Sequence, residues 1–325
     1  MKSIPFFYYP TTVAIIDDDV DLLDSLNLSF SGQFKCRTFS SPQEGKNFLL
    51  EHFIKNKQDE RYLNISYDRM TDVSVNLDIS RIYKKVYDKS RFNQIGVLVL
   101  DYDMPGINGL ELARELKAKT PIKIVMLTGE ADKNTVIEAF NTNEIDRFIP
   151  KSNADYHEKL LEYIYQLQLQ YFIDLSAAVL ESLATESSHP LKNESFIKFF
   201  ENIVKENNIV EFYLLDESGS FLMLDKKGKP LWLFVRREED MQSFYEMANE
   251  EGLDKELVKA LQDRKKIVTS IERDAVMPPI LEWKIYDAET LGDEKIYYAL
   301  LTDEDFGLEK DQITNYLQQI NKPSS

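Results

Sequence analysis

The sequence predicts two domains: an α/β domain with a doubly wound, five-stranded parallel sheet, then a long helix and an α+β domain with an antiparallel sheet. Between residues 12 and 151, short apolar runs alternate with segments of helical periodicity, which is typical of parallel strands joined by crossover helices. From Asn153, helical spacing continues without glycine or proline until Pro190, which predicts one long helix. Three strand-like runs separated by turn residues then predict an antiparallel meander.

The five strands of the predicted parallel sheet are short and mostly apolar. They lie at residues 13–17, 35–39, 97–101, 123–128 and 146–150. Apolar runs of this kind are expected for strands that are buried on both faces. The helices predicted between them lie at residues 19–31, from Ser41-Pro42 onward, at 109–119 and at 133–141. These β-α units predict right-handed crossovers.

One stretch, about residues 54–95, interrupts this alternation before the third strand. An unstructured loop of that length is uncommon within a compact domain. Its apolar residues alternate at 63, 65 and 67 and again at 73, 75 and 77, and then follow helical spacing from 79 to 86. We therefore predict an ordered insert with a hairpin and a helix, at the sheet edge opposite Asp101. It is either a partner surface or an elaboration without a function of its own.

The predicted domain boundaries are residues 1–152 for the first domain, 153–186 for the extended helix and 190–325 for the second domain. The first half of the long helix is expected to be the fifth helix of the first domain, and the second half is expected to extend toward a neighbour. Its apolar stripe from 160 to 183 is expected to pack on the second domain, since its later steps of four residues argue against a sustained coiled coil. The elements predicted in the second domain are a helix at 194–207, strands EFYLLD, FLMLD and LWLFVR, helices at about 238–251 and 254–263, strands at 267–271, 283–287 and 296–302, and a final helix at about 310–320.

Composition excludes several classes of protein. The 325 residues are 43% hydrophobic, which indicates a globular chain. No apolar run reaches the roughly 20 residues that a membrane-spanning helix needs, and the first residues lack the layout of a signal peptide. One cysteine, Cys36, excludes an intrachain disulfide, and the three histidines have no metal-ligand spacing. A cytoplasmic protein without membrane segments is expected.

Chemically active side chains follow the ends of four predicted strands. Asp17 and Asp18 follow the first strand, Asp101 ends the third, Thr128 ends the fourth, and Lys151 follows the fifth. Because the carboxyl ends of parallel strands meet at one edge of the sheet, these side chains are expected to converge. Carboxylate oxygens are the ligands that Mg²⁺ prefers, and a hydroxyl and an ammonium suit a phosphoryl group. The sequence therefore predicts a Mg²⁺-dependent phosphoryl-acceptor site.

On these residues, and on the spacing DxxMPGxxG counted from Asp101, residues 12–160 resemble the receiver domain of two-component response regulators, the CheY-like family. The resemblance implies a flavodoxin-like sheet with strand order 2-1-3-4-5. It also implies a role for each site residue: Asp101 is the phosphoacceptor, Asp17 and Asp18 are the acid pair that binds Mg²⁺, the backbone carbonyl of Asp103 is a further ligand, Thr128 is the switch hydroxyl, Lys151 senses the phosphate, and Phe148 is the aromatic switch residue.

Two features depart from the family pattern, and several residues have a plainer interpretation. Pro150 precedes Lys151, where the family has proline after the lysine, and typical receivers lack the insert. Taken alone, Thr128 would be an ordinary strand end and Phe148 a core residue. Asp103 could be a second phosphoacceptor or a residue at the site rim. The remaining acidic residues near the first helix are expected to cap it and to favour its dipole: Asp19, Asp21 and Asp24.

The second domain carries no motif that specifies its activity. Residues 152–325 hold 19 Lys and Arg against 34 Asp and Glu, so binding to DNA is disfavoured. The layout of the whole chain resembles LqsR-like quorum-sensing response regulators, whose output domain resembles nucleotide-binding domains. Three hypotheses follow: a switch whose output domain binds a protein or small ligand, an enzyme or nucleotide-binding module, and a DNA-binding transcription regulator.

The resemblance also implies partners for the first domain. A sensor histidine kinase or a phosphotransfer protein would supply the phosphoryl group. Phosphorylation would favour a homodimer formed through the face between the fourth and fifth strands. The only catalysis expected of the first domain is its own phosphoryl transfer and dephosphorylation.

Overall fold

Contacts between residues divide the chain into two compact units. The parallel-sheet unit contains Tyr9–Arg61, Ser90–Leu175 and Tyr316–Ser325, and the antiparallel-sheet unit contains Met1–Tyr8, Tyr62–Lys89 and Ser176–Asn315. The computed structural model describes residues 3–56, 63–67, 73–129, 133–183, 190–269, 280, 283–293, 295–302 and 304–320. None of the helices in these ranges is long and apolar enough to cross a lipid bilayer.

Strands of the two units alternate along the chain rather than forming two continuous blocks. In chain order they are β1 (Phe7–Tyr8), β2 (Thr12–Ile16), β3 (Cys36–Phe39), β4 (Leu63–Tyr67), β5 (Val73–Leu77), β6 (Ile95–Asp101), β7 (Asp103–Met104), β8 (Ile107–Asn108), β9 (Lys123–Thr128), β10 (Arg147–Pro150), β11 (Ile209–Leu214), β12 (Phe221–Asp225), β13 (Pro230–Arg237), β14 (Lys266–Val268), β15 (Ile285–Asp287), β16 (Glu289–Thr290) and β17 (Ile296–Thr302).

The helices connect these strands, and short 3₁₀ turns supplement them at Lys85–Tyr87, Arg91–Asn93, Pro190–Lys192 and Lys310–Gln312. The α-helices are α1 (Val20–Phe30), α2 (Pro42–Asn56), α3 (Ile79–Lys84), α4 (Gly109–Lys119), α5 (Lys133–Asn141), α6 (Tyr156–Leu183), α7 (Glu194–Glu206), α8 (Glu238–Glu250), α9 (Lys255–Gln262) and α10 (Tyr316–Ile320).

The parallel sheet has the order β10-β9-β6-β2-β3, which confirms the predicted doubly wound fold with strand order 2-1-3-4-5. The three central strands β2, β6 and β9 are buried along their whole length, as expected for a sheet covered by helices on both faces. On one face, helices α1 and α6 pack against the strands through the apolar residues Val13, Ile15, Leu23, Leu26, Phe30, Val97, Val99, Val125, Leu127, Leu160, Ile164 and Leu167.

The antiparallel sheet has the order β1-β11-β12-β13-β17-β16. Strands β11, β12 and β13 form the predicted meander. Helix α7 lies against one face, where Phe200 makes edge contacts with Phe212 and Phe221 at ring-centroid distances of 5.0 and 4.9 Å. The other face carries Trp232, which is fully buried, and an apolar cluster of Met241, Ile267, Tyr297 and Ala299.

The first residues of the chain and the insert group with the antiparallel-sheet unit. Phe7 and Tyr8 form β1, which pairs antiparallel with β11, so that Phe7 lies opposite Tyr213. The predicted boundaries instead follow chain order and keep residues 1–152 together. Pairing between segments more than 200 residues apart leaves no local pattern, which is why chain order alone suggests a different grouping.

The predicted insert is ordered in its described parts. Strands β4 and β5 form an antiparallel hairpin with Leu63 opposite Leu77, and α3 follows, capped by the side chain of Asp78. The chain then enters β6 at Ile95, at the opposite end of that strand from Asp101.

The C-terminal helix differs from its prediction. A single helix over about 310–320 is wrong, because a 3₁₀ turn at Lys310–Gln312 and α10 are separated by residues 313–315. Ile313 and Thr314 are β-branched, which disfavours a helix at this point. Contacts group α10 with the parallel-sheet unit, where the Tyr316 hydroxyl donates to the Gln33 carbonyl over 2.9 Å.

Candidate functional site

Three carboxylates lie together at the carboxyl edge of the parallel sheet. Asp17 and Asp18 follow β2, and Asp101 is the last residue of the adjacent strand β6. Each offers one oxygen, and these oxygens lie within 4.8 Å of one another. Asp17 and Asp101 are only 1% and 5% exposed, whereas Asp18 is open to solvent. The strand ends thus create a carboxylate cluster with one accessible side.

The ammonium group of Lys151 connects the two buried carboxylates. Its Nζ lies 2.9 Å from Asp17 Oδ2 and 2.8 Å from Asp101 Oδ1. The backbone positions this side chain, because the Lys151 amide donates to the Thr128 carbonyl over 2.9 Å. Pro150 is tolerated immediately before it because β10 is an edge strand of the sheet, where a missing amide proton costs no ladder hydrogen bond.

Burial and charge set the protonation behaviour of this cluster. Burial raises the pKa of Asp101; the hydrogen bond from Lys151 acts against this rise, and the charge of Asp17 adds to it. Burial alone would lower the pKa of Lys151, but its hydrogen bonds to Asp101 and Asp17 raise that pKa above its ordinary value. Lys151 therefore stays protonated at neutral pH, and a further cation would favour the ionised form of Asp101.

Thr128 and Phe148 lie on the neighbouring strands β9 and β10. Thr128 is fully buried, and its hydroxyl donates to the carbonyl of Gly129 over 3.0 Å. In the sheet register, Asp101 pairs with Leu127, which places Thr128 one residue beyond the level of Asp101. Phe148 is half-buried, and its ring lies 6.1 Å from that of Phe140 on α5.

The turn after Asp101 brings the backbone unusually close to the site. Asp103 is exposed and pairs with Asn108 in the short hairpin of β7 and β8, and its side chain is not part of the carboxylate cluster described above. A Cβ atom on Gly109 would lie 2.0 Å from the carbonyl oxygen of Asp101. Glycine is therefore required where α4 begins, and Gly106 in the turn has a φ of +86°, which favours glycine.

Two neighbours of the cluster were not singled out from the sequence as parts of the site. Asp17 Oδ1 accepts a hydrogen bond from the Asp19 amide over 2.9 Å, and Asp19 in turn caps α1 by accepting from the Leu22 amide. Tyr156 lies in the first turn of α6, and burial raises its pKa. The charge of Lys151 acts against this rise, and the charge of Asp17 adds to it. Its position five residues after Lys151 at a helix start is the signal that could have drawn attention to it.

The residues present fit a divalent oxygen-bound cation. Two carboxylates share one ammonium, so the cluster of Asp17, Asp18 and Asp101 retains negative charge after Lys151 is counted. All three contribute hard oxygen donors, and the accessible Asp18 leaves a route for an ion and its water ligands. Mg²⁺ is commonly held by one or two carboxylates with water and phosphate oxygens completing its shell.

Comparison with known families identifies the class of this fold and site. Residues 72–164 match the family model described as the response regulator receiver domain. Asp101, Thr128 and Lys151 lie within the match, whereas Asp17 and Asp18 precede it. The fold, the carboxylate cluster and this match together define a response regulator receiver domain.

A solved structure extends the similarity over the whole chain. The response regulator LqsR of Legionella pneumophila is 33% identical, with a TM-score of 0.81, and the alignment covers 100% of this chain and 97% of that one. The chain therefore belongs to the LqsR-like response regulators. Curated relatives match over short segments: the regulatory protein VanRB of Enterococcus faecalis is 32% identical over 80 residues, 25% of this chain and 34% of its own length.

A second curated relative matches over a still smaller part of its length. The protein-glutamate methylesterase/protein-glutamine glutaminase of group 3 operon from Bradyrhizobium diazoefficiens is 32% identical over 68 residues, which is 20% of this chain and 18% of that protein. The chain thus aligns with no more than about a third of the length of these curated relatives.

Proposed function

We propose that this protein is a phosphorylation-driven switch. In this proposal Asp101 receives a phosphoryl group from a sensor histidine kinase or a phosphotransfer protein, in the presence of Mg²⁺. A carboxylate oxygen of Asp101 forms the new P–O bond while the P–N bond of the donor phosphohistidine breaks. The phosphorylated form then changes what the C-terminal part of the chain binds, and a protein or a small ligand is its proposed partner.

One observation carries the proposal: three carboxylates meet within 4.8 Å, and Lys151 bridges the two buried ones at 2.9 and 2.8 Å. Asp101 is the last residue of β6, a central strand that pairs with β2 on one side and with β9 on the other. This arrangement supports Asp101 as the acceptor, since the approaching phosphoryl group would meet cationic and hydroxyl groups on one side.

Asp17, Asp18 and Asp101 are the side chains proposed to hold Mg²⁺, with the backbone carbonyl of Asp103 as a further ligand. When bound, the ion offsets the negative charge that a phosphoryl group brings to a carboxylate. Lys151 supplies a cation at the same point. It would exchange its contact with Asp101 for one with a phosphoryl oxygen, which keeps the charge of the site balanced.

Thr128 and Phe148 are proposed as the residues that respond to the phosphoryl group. The Thr128 hydroxyl donates to the adjacent Gly129 carbonyl, a weakly constraining local bond, so it can rotate toward a new anionic acceptor. Phe148 is half-buried beside Phe140, so its ring can move inward as Thr128 moves. Phosphorylation would then shift an equilibrium between two arrangements that both exist beforehand.

Acetyl phosphate and Mg²⁺ test the proposal on the whole protein. We expect wild type to gain the mass of one phosphoryl group, and Asp101→Asn to gain none. Asp18→Asn should lose the dependence on Mg²⁺ together with most of the uptake. Asp24→Asn is the matched control, because Asp24 is exposed on the same segment of the chain but lies outside the cluster. Equal labelling of Asp101→Asn and wild type would refute the assignment of the acceptor.

We propose that the protein works in the cytoplasm, as the sequence predicts, where Mg²⁺ and kinase-borne phosphoryl groups occur together. For the C-terminal unit, a thermal-shift screen on the full chain separates the candidate ligands. Stabilisation by a nucleotide would favour a nucleotide-binding module over a protein-binding one. A salt-dependent gel shift with DNA tests the less favoured DNA-binding alternative.

A further inference from the structure

Three aromatic rings meet on the face of the antiparallel sheet that α7 does not cover. Trp232 and Phe234 alternate on β13, so both side chains lie on that face, and both are fully buried. Phe306, from the loop after β17, packs on them: its ring centroid lies 5.1 Å from that of Trp232 and 4.8 Å from that of Phe234. All three residues belong to one compact unit. We call this group the aromatic triad.

Phe306 is the outer member of the aromatic triad, and a short loop holds it. Its side chain is half-buried, whereas the two rings beneath it are fully buried. The loop turns at Gly307, whose φ is +78°, and the Gly307 amide donates to Asp305 Oδ1 over 2.8 Å. The Tyr286 hydroxyl donates to the carboxylate of Glu304. The two acidic side chains directly before Phe306 therefore have partners of their own.

The aromatic triad contains a buried hydrogen-bond donor. Trp232 is 0% exposed, and its indole Nε1 has no acceptor within the described part of the chain. A buried polar group without a partner costs free energy, because it has lost its contact with water. The phenyl ring of Phe306 carries no acceptor atom, so its packing on Trp232 leaves that cost in place.

A cation lies over the Phe306 ring. Lys284 Nζ is 4.5 Å from the centroid of that ring, and it donates to the backbone carbonyl of Asp305. The Lys284 side chain is exposed at the surface, and among the described residues it contacts this ring and this neutral carbonyl but forms no ion pair. An ammonium group binds an anion more strongly than it binds a neutral carbonyl.

We propose that the aromatic triad is a binding site for a flat heteroaromatic carboxylate, and that Phe306 holds the place of the ligand's ring. This inference rests on the proposed function in the form in which the C-terminal part binds a small ligand. The ligand's ring displaces Phe306 and packs on Trp232 and Phe234. A ring acceptor atom takes the Trp232 N–H, and the carboxylate at the other end of the ligand pairs with Lys284. The donor and the cation that Phe306 does not match thus each specify one feature of the ligand.

The test uses nuclear magnetic resonance on the full-length, unphosphorylated protein, with quinoline-6-carboxylate as the probe. The chain has two tryptophans, Trp232 and Trp283, so a sample labelled with ¹⁵N shows two indole N–H signals, and a Trp283→Phe sample assigns them. Two analogues serve as controls: naphthalene-2-carboxylate lacks the ring nitrogen, and quinoline-6-carboxamide lacks the charge. The variant Lys284→Met removes the cation, and Lys255→Met is its matched control, because Lys255 is an exposed lysine on α9.

We expect the probe to shift the Trp232 indole signal saturably in wild type and in Lys255→Met. Lys284→Met should weaken probe binding about tenfold, and wild type should bind the carboxamide about tenfold more weakly than the probe, since each change removes a charged contact. Naphthalene-2-carboxylate should bind wild type about threefold or more weakly, since it leaves the Trp232 donor unpaired. The carboxamide should not distinguish Lys284→Met from wild type.

Two results would overturn the site. One is a Trp232 signal in wild type that the probe does not shift saturably. The other is equal affinity of wild type for the probe and for either analogue, because the charge or the ring nitrogen would then have no partner at the site. Both results come from wild type alone, so they decide the question even if Lys284→Met does not fold.

Phosphoryl uptake, measured by intact mass after treatment with acetyl phosphate and Mg²⁺, separates this inference from the function on which it rests. Normal uptake by a wild-type protein that does not bind the probe contradicts the ligand site alone. Binding of the probe by a wild-type protein that takes up no phosphoryl group contradicts the phosphorylation of Asp101 and supports the site.

Discussion

Two buried carboxylates, Asp17 and Asp101, share a single ammonium group. Lys151 satisfies one oxygen of each, yet the exposed Asp18 adds a third negative charge within 4.8 Å. Like charges this close raise the free energy of the ionised state. A divalent cation bound by these carboxylates would relieve that repulsion, and this relief would contribute to the free energy of metal binding.

This repulsion predicts that Mg²⁺ stabilises the folded protein. A ligand that binds only the native state adds about 2.7 kcal/mol of stability at about a hundredfold excess over its dissociation constant. The melting temperature should therefore rise with Mg²⁺ for wild type and for Asp24→Asn. Asp18→Asn should lose most of that rise, while its metal-free melting temperature stays equal or rises slightly, because one of the mutually repelling charges is removed. If the melting temperature of Asp18→Asn rose with Mg²⁺ as much as that of wild type, Asp18 would not be a ligand of the ion.

His52 introduces a pH dependence of stability away from the site. Its Nε2 accepts a hydrogen bond from the Ile95 amide over 3.2 Å, which requires that nitrogen to be unprotonated. Burial lowers the pKa of His52, and the charges of Arg37 and Lys55 lower it further. In the unfolded chain the pKa returns to about 6.5, so the unfolded state binds the proton first as the pH falls.

The sign of this effect follows from linkage. The contribution of His52 is complete above about pH 6.5 and is lost as the pH falls toward its lowered folded-state pKa. His52→Gln can retain an acceptor for the Ile95 amide but does not titrate. Chemical denaturation between about pH 7.5 and about pH 5 should therefore show a shallower loss of stability for the variant. Parallel curves for the two proteins would mean that His52 titrates alike in both states.

At the scale of elements, the start of helix α4 is fitted tightly against the end of β6. The Gly109 amide donates to the Tyr102 carbonyl over 2.8 Å, and the absent side chain leaves room for the Asp101 carbonyl. Helix α4 therefore helps to fix the backbone of the proposed phosphoacceptor. The helix is also capped by Asn108, whose side chain accepts from the Leu110 amide.

We expect Gly109→Ala to displace the backbone of Asp101, because the new Cβ would overlap its carbonyl oxygen. Overpacking of this kind costs about 1–3 kcal/mol, and phosphoryl uptake from acetyl phosphate should slow as well. Gly129→Ala is the control, since a Cβ there meets no atom of the described residues within 4 Å. Thermal unfolding and intact mass report the two effects, and a Gly109→Ala protein as stable and as reactive as Gly129→Ala would be inconsistent with this tight fit.

Elements with strong local signals were predictable from the sequence. The β11–β13 meander is defined by Glu217-Ser218-Gly219 and by Lys226-Lys227-Gly228-Lys229-Pro230, whose glycines have φ values of +98° and +80°. The three central parallel strands β2, β6 and β9 were recognisable because each is mostly apolar and is ended or followed by a polar residue, which is Asp17, Asp101 or Thr128. The two-residue strand β1 had no such signal, since a distant partner, β11, determines its pairing.

The candidate site was predictable in composition but not in geometry. That Asp17, Asp18 and Asp101 meet follows from the rule that parallel strands end at one edge. The bridging position of Lys151 between two buried acids depends on the path of the loop after β10, which no local pattern specifies.

At the scale of the whole molecule, the face formed by α5 and β10 is a candidate surface for self-association. Ile137 and Phe140 are 43% and 37% exposed, and they lie three residues apart on α5, so that they share one side of this helix. Phe140 contacts the proposed switch residue Phe148. A change in Phe148 on phosphorylation would therefore alter the shape of this face.

We expect the phosphorylated protein to sediment as a dimer and the unphosphorylated protein as a monomer. Ile137→Asp with Phe140→Asp should keep the phosphorylated form monomeric, because charges would enter an apolar contact, while phosphoryl uptake stays normal. Leu28→Asp is the control, since Leu28 is 79% exposed on the different helix α1. If the phosphorylated and unphosphorylated proteins sedimented alike, the prediction of a phosphorylation-dependent dimer would be wrong.

The identity of the phosphorylated residue is the most direct test of the central claim. An aspartyl phosphate formed with acetyl phosphate and Mg²⁺ can be trapped by borohydride reduction, which converts that aspartate to homoserine, and peptide mass spectrometry then locates it. We expect homoserine at position 101 in wild type, and none anywhere in Asp101→Asn or in samples without Mg²⁺. Homoserine at another aspartate in wild type, with residue 101 unmodified, would contradict it.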